Sequence, residues 1–230
     1  MTAGDWRGLV EGIPSLLGGL GINLQILLGL IALGFFAGIV VALIQVYAPR
    51  PLAAVAIGYE WFFRGVPEMV LLMLVYFGLR QFHVPISPFI AAVIALGLRS
   101  SAYQSQIFRG AIQAVGSNQM MAALSVGMTR FQAIRHVILP QALRLSIPPW
   151  SNEFSSVLKD TTLTSAIGVI EVFKRARFIM GRNYALALPT FMVVALFFLA
   201  LTYLGNWGLG ALERRYRIPG LEAKGAGERF

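Results

Sequence analysis

The sequence contains no cysteine and only two histidines, His83 and His136. A disulfide framework, a thiolate nucleophile and a cysteine metal site are therefore excluded, and nothing follows about redox compartment. Charge is scarce as well, at 13% of 230 residues. No G-x-x-x-x-G-K-S/T run is present, so the chain cannot cradle ATP by itself. The two histidines stand far apart, and no Ser-His-carboxylate or metal-ligand spacing occurs, which argues against a membrane enzyme.

What the chain has in abundance is apolar sequence: 57% of residues are hydrophobic and the mean hydropathy is +0.71. This composition marks an all-α integral membrane protein. The formal net charge of +9 is scattered between apolar runs and gathers into no basic domain. It fits contact with anionic lipid and positive-inside topology, with no nucleic acid partner.

About five transmembrane helices are expected. Residues 1–15 read as an outer N-terminal segment, since the charged stretch through Pro14 lacks the pattern of a cleaved signal peptide. The membrane domain covers 16–212. Its first span is Leu16–Val46, where Gly34 and Gly38 form a small-xxx-small pair that lets another helix approach. Asn23 lies near its outer end with no assigned role. A second span, Ala53–Gly78, places Glu60, Arg64 and Glu68 four residues apart on a shared helix face. Charges at membrane depth cost about 2.5–3.5 kcal/mol each on insertion scales, so they should face protein or water. Glu60 and Arg64 read as an ion pair, and Glu68, one turn deeper, as a residue of the transport path.

The third span, Phe89–Ile112, carries Arg99, Ser100, Ser101, Tyr103, Gln104 and Gln106, too polar to face only lipid. Path lining and interhelical hydrogen bonding both account for them. A fourth span ends near Val172, with Pro148 and Pro149 stopping or kinking any helix through them. The fifth is Pro189–Trp207, and 213–230 form a cytoplasmic tail. An odd number of spans puts the N-terminus outside and the C-terminus in the cytoplasm. Lys174, Arg175, Arg177 and Arg182 then fall outside, against the positive-inside rule, whereas Arg50, Arg130, Arg135, Arg144, Arg214, Arg215 and Arg217 obey it.

Between spans three and four, residues 113–143 form a polar island. Asn118 or Ser117 is expected to cap a short helix through Ser125, ended by Gly127 in a left-handed conformation. Thr129 and Gln132 make a capping box for a second helix, with Phe131, Ile134 and Ile138 on one face and Pro140 forcing the chain out. Two short, capped helices of this kind form a knob suited to a groove in another protein.

These residues carry a resemblance. Ala122-Ala123, three residues, Gly127, nine residues, then Val137-Ile138-Leu139-Pro140 resembles the EAA loop of permease subunits of ATP-binding cassette importers. Arg64-Gly65-Val66-Pro67-Glu68, Ser101-Ala102-Tyr103 through Gly110, and Pro149-x-x-Asn152-x-Phe154 through Lys159-Asp160-Thr161-Thr162-Leu163 are similar to the polar amino acid uptake branch of that family. The family carries Glu where this chain has Met121, and usually Glu at Gln106.

The resemblance implies a type I importer permease fold in a bacterial inner membrane. It implies ATPase coupling through Met121, Ala122, Ala123, Gly127, Leu139 and Pro140. Glu68, Tyr103, Asn152 and Glu153 are the candidates for the substrate path, and Glu60, Arg64, Lys159 and Asp160 for gating or structural roles. The implied partners are a second permease subunit, non-identical because Met121 lacks the usual carboxylate, a cytoplasmic ATPase dimer holding ATP and Mg, and an outer solute-binding protein. No cofactor is expected on this chain. Glu68 and Glu153 suggest a basic amino acid or an opine derived from one, with glutamate or a neutral polar amino acid as the alternative. An autonomous channel or ion-coupled carrier is the reading from another class, and it leaves the capped loop without a purpose.

Overall fold

The computed structural model describes residues 3–216, and these are organised around one long helix, α1, Ala3–Tyr47. At about 1.5 Å per residue, its 45 residues reach well beyond a bilayer core of about 30 Å. The expected boundary at residue 15 does not interrupt it: Pro14 lies inside the helix. Along its length α1 contributes Leu16, then Ile26, Leu27 and Leu30, then Ala42 to three successive buried clusters.

The remaining helices are α2 (Arg50–Gly65), α3 (Glu68–Gln81), α4 (Pro88–Val115), α5 (Ser117–Ser125), α6 (Arg130–Ala133), α7 (Leu139–Leu145), α8 (Ile147–Asp160), α9 (Val172–Arg182) and α10 (Ala187–Tyr216). By length and apolarity, Trp6–Tyr47 and Tyr184–Tyr216 each qualify as a span, and α2 with α3 as a third. The 28-residue α4 is also long enough to cross, and its serines, glutamines and two arginines make it more polar than the other long helices. It makes the most extensive helix pair of the fold, with α1. Gly34 and Gly38 serve this contact within the chain. A Cβ on Gly38 would lie 3.1 Å from the Ser101 carbonyl oxygen, so the glycines let two backbones approach closely.

Three expectations about chain geometry are corrected. The second span is not one helix: α2 and α3 meet at 104°. Pro67 donates no N–H and pushes Val66 into extended backbone, φ −88° and ψ 133°, so the helix ends at Gly65 and restarts at Glu68. Glu68 consequently does not share a face with Glu60 and Arg64. Pro140 likewise does not force the chain out of helix. A π-helical turn, Ile134–Ile138, widens the path just before it, and Pro140 occupies the first turn of α7, where a missing N–H is harmless. That turn also rotates the side chains, leaving Phe131 exposed and Ile138 buried. Third, neither Asn118 nor Ser117 caps α5; Gly116 does, at φ +81°, and no side chain bonds the helix start. Met121 is therefore the fifth helical residue, and a carboxylate there would not close a capping box. Pro148 and Pro149 fall at the start of α8, again where no donor is needed.

The loop's other local signals are present. Gly127 adopts φ +85° and closes α5 with Gly127 N–H to Leu124 O at 3.0 Å and Met128 N–H to Ala123 O at 3.2 Å, a Schellman motif. Thr129 and Gln132 form the reciprocal capping box of α6. The tail is helical through Tyr216, and 217–230 lie outside the described residues.

Candidate functional site

Charged and polar side chains converge where α4 passes the α2–α3 break and α8. Arg99, on α4 and only 8% exposed, forms ion pairs with Glu68 at the start of α3 and, at 3.2 Å, with Asp160 at the end of α8. Its guanidinium lies 4.6 Å from the centre of the Tyr103 ring, one turn along the same helix. From α2, Arg64 meets the same ring at 4.9 Å and pairs with buried Glu60. Tyr103 thus joins two cations, each also tied to a carboxylate. Glu60, Trp61, Arg64, Gly65 and Tyr103 line a small cleft of about 260 Å³ beside it.

One step along α4, Ser100 donates to Glu153 of α8 at 3.0 Å and accepts from Gln104 at 3.0 Å. The Trp150 ring N–H donates to Gln104 at 2.8 Å. Tyr59 of α2 donates to the Leu98 carbonyl at 3.0 Å and exchanges a hydrogen bond with Ser101. Gln106 donates to Gln45 of α1 at 3.1 Å. Interhelical bonding therefore accounts for most polar positions of α4, while the ion pairs account for its one buried arginine. The charges are partnered, as charges in a low-dielectric interior must be.

Among the residues singled out from sequence, Glu60, Arg64, Glu68, Tyr103, Glu153 and Asp160 come together here. Asn152 does not: it is exposed on another face of α8. Lys159 is exposed beside Asp160, whose partner is Arg99. The organising residue, Arg99, stood in the sequence only as one of several polar positions. Its partners lie 31 and 61 residues away, so no local spacing could reveal it.

The loop residues form a separate site. Met121 and Ala122 are exposed on α5, Ala123 is buried, and Leu124, Val126 and Phe131 add exposed apolar surface. Leu139 and Pro140 sit at the root of the loop, where Val137, Ile138 and Ala142 pack against Ala42 and Phe108.

A third polar junction involves Asn23, which the sequence left without a role. Its amide donates to Thr161 at 2.9 Å and to Glu171 at 3.1 Å, and its carbonyl accepts from Val172 N–H at 3.0 Å. Glu171 also accepts from the Phe173 and Lys174 amides at 2.9 and 2.8 Å, capping α9. All of Asn23, Thr161 and Glu171 are fully buried.

Residues 13–218 match the family described as "Binding-protein-dependent transport system inner membrane component". The probable amino-acid permease protein YxeN of Bacillus subtilis is 37% identical, with 95% of this chain and 99% of that protein covered. The nopaline transport system permease protein NocM of Agrobacterium fabrum is 31% identical over 96% and 98% of the two chains. Among solved structures, an amino acid ABC transporter crystallised with histidines superposes with a TM-score of 0.83 at 34% identity, covering 94% of this chain and all of that one. A matching family model over nearly the whole chain and full-length relatives above 30% identity place this protein in the binding-protein-dependent transport system inner membrane component family, the multi-pass permease subunits of ATP-binding cassette importers.

Proposed function

We propose that this chain carries a polar, basic amino acid inward across the inner membrane by alternating access. One observation carries the basic preference: Glu60, Glu68, Glu153 and Asp160 surround Arg64 and Arg99, so carboxylates exceed guanidiniums about Tyr103, even with exposed Lys159 nearby. A cationic guest meets that excess once water is excluded, where opposite charges attract most strongly. Glu68, Tyr103 and Glu153 are the substrate-facing members in this reading, and Asn152, on another face of α8, is not one of them. Glu60–Arg64 and Arg99–Asp160 exchange partners as the path opens and closes.

The soluble binding protein that the family name specifies delivers the amino acid outside. A pair of ATPases in the cytoplasm holds ATP and Mg, and their closure pushes the 113–143 loop through Met121, Ala122, Ala123 and Gly127, with Leu139 and Pro140 passing the motion to α7 and α8. The second permease chain is non-identical and supplies the carboxylate absent at Met121. In this topology the N-terminus is outside and the C-terminus cytoplasmic. The nopaline permease among the relatives supports opines as an extension of the substrate class.

The test is gentle purification of the tagged chain from its own cells, with identification of what accompanies it. An ATPase and a different permease chain are expected. A lone chain that conducts in liposomes would overturn the importer reading, and a complex containing only this permease would remove the non-identical partner.

A further inference from the structure

The basic residues of α9 violate the positive-inside pattern, and nothing in the transport path uses them. The helix packs through Val172, Phe173, Ala176 and Ile179 against α1 and α10. Lys174, Arg177, Phe178, Gly181 and Arg182, spaced three and four residues apart, form the opposite stripe. Arg177, Gly181 and Arg182 are exposed, and Phe178 is 51% exposed among them. The only acid at the start of α9, Glu171, is buried and turned inward. The ion pairs among the described residues lie elsewhere, so Arg177 and Arg182 pair with no carboxylate there, while Lys174 acts electrostatically on Glu171.

Its location follows from α1. A Cβ on Gly19 would lie 2.7 Å from the Val172 backbone, whereas the 113–143 loop packs near Ala42 and Tyr47. At about 1.5 Å per residue these contacts are about 35–42 Å apart along α1, more than the hydrocarbon thickness of about 30 Å, so stripe and loop lie on opposite sides of the membrane. The Asn23–Glu171–Thr161 junction ties the start of α9 to both α1 and the segment after α8, which holds the stripe rigidly. A rigid cationic surface with one exposed aromatic ring, opposite the ATPase side, suits an acidic protein surface.

We infer that Lys174, Arg177, Phe178 and Arg182 dock an acidic face of the soluble binding protein. The inference rests on the importer reading, and the test separates the two. The complete complex is placed in nanodiscs of zwitterionic phosphatidylcholine. The purified soluble amino-acid-binding protein that supports uptake by that complex is then titrated at low and high salt. For K174Q/R177Q/R182Q the expected result is a Kd raised at least about tenfold at low salt, with a flatter salt dependence and unchanged basal ATP hydrolysis. R214Q/R215Q, at the other end of the molecule, should leave Kd unaltered. If the triple variant does not assemble, Arg177→Glu and Arg182→Glu singly carry the test and should each weaken binding. An unchanged Kd and salt slope would overturn the inference. So would variants that keep their Kd but lose retention of phosphatidylglycerol, because the stripe would then be a lipid contact. If no soluble protein supports uptake by the wild-type complex, the importer reading falls first and the docking surface with it.

Discussion

Arg99 bonds Glu68 across the break between α2 and α3, joining the middle of one helix to the first residue of another. The same guanidinium reaches Asp160 at the end of α8. Three helices therefore meet at one buried cation. Replacing Arg99 by Met leaves two carboxylates without their partner, and loss of one member of a buried pair costs about 3–5 kcal/mol. R99M should lower the thermal unfolding temperature of the purified complex clearly, with E68Q milder because Glu68 is partly exposed. Equal unfolding temperatures for wild type and R99M would show that the pairs do not hold the helices together.

Glu153 reports on substrate charge. Its carboxylate accepts from Ser100, and an amide oxygen can accept the same bond, so Glu153→Gln changes charge with little change of shape. Combined with Glu68→Gln, it should reduce arginine uptake more than glutamine uptake. Parallel losses for both amino acids would withdraw the basic preference.

How much of this was legible in the sequence depends on distance along the chain. Gly127, Thr129 with Gln132, and Glu60 with Arg64 act within five residues, and their geometry is set by local backbone rules. The pairs Glu68–Arg99, Arg99–Asp160, Ser100–Glu153 and Asn23–Glu171 depend on helix packing that no periodicity encodes. The local chemistry of the prolines is plain in the sequence, but its consequence depends on the backbone around each one. Pro67 breaks a span that apolar composition had joined, and Pro140 is absorbed by a π turn that the sequence does not announce. The cap expected from Ser117 or Asn118 is absent because the cap position falls on Gly116, which supplies no side chain to bond.

The left-handed residue at the end of α5 gives a sharp test of the loop. At φ +85°, Gly127→Val incurs about 1–2 kcal/mol of backbone strain and distorts the Schellman bonds to Leu124 and Ala123. The variant should insert into the membrane at normal levels yet lose ATP-driven uptake. Full uptake by Gly127→Val would remove the loop from the transmission of force.

At the opposite end of α1, Asn23→Ala deletes both a donor to Thr161 and Glu171 and an acceptor for Val172 N–H. Each buried group left unsatisfied costs about 1–3 kcal/mol, so the variant should unfold at lower temperature and expose α9 to protease. Unchanged proteolysis at Lys174 and Arg177 would mean that Asn23 does not anchor α9.

The most direct measurement is uptake of labelled arginine by proteoliposomes containing the purified complex, with the soluble binding protein outside and ATP enclosed. Uptake should require both additions, stop with orthovanadate, and vanish in Gly127→Val while that complex remains assembled. Arginine accumulation by this chain alone, without ATP or the binding protein, would overturn the importer mechanism.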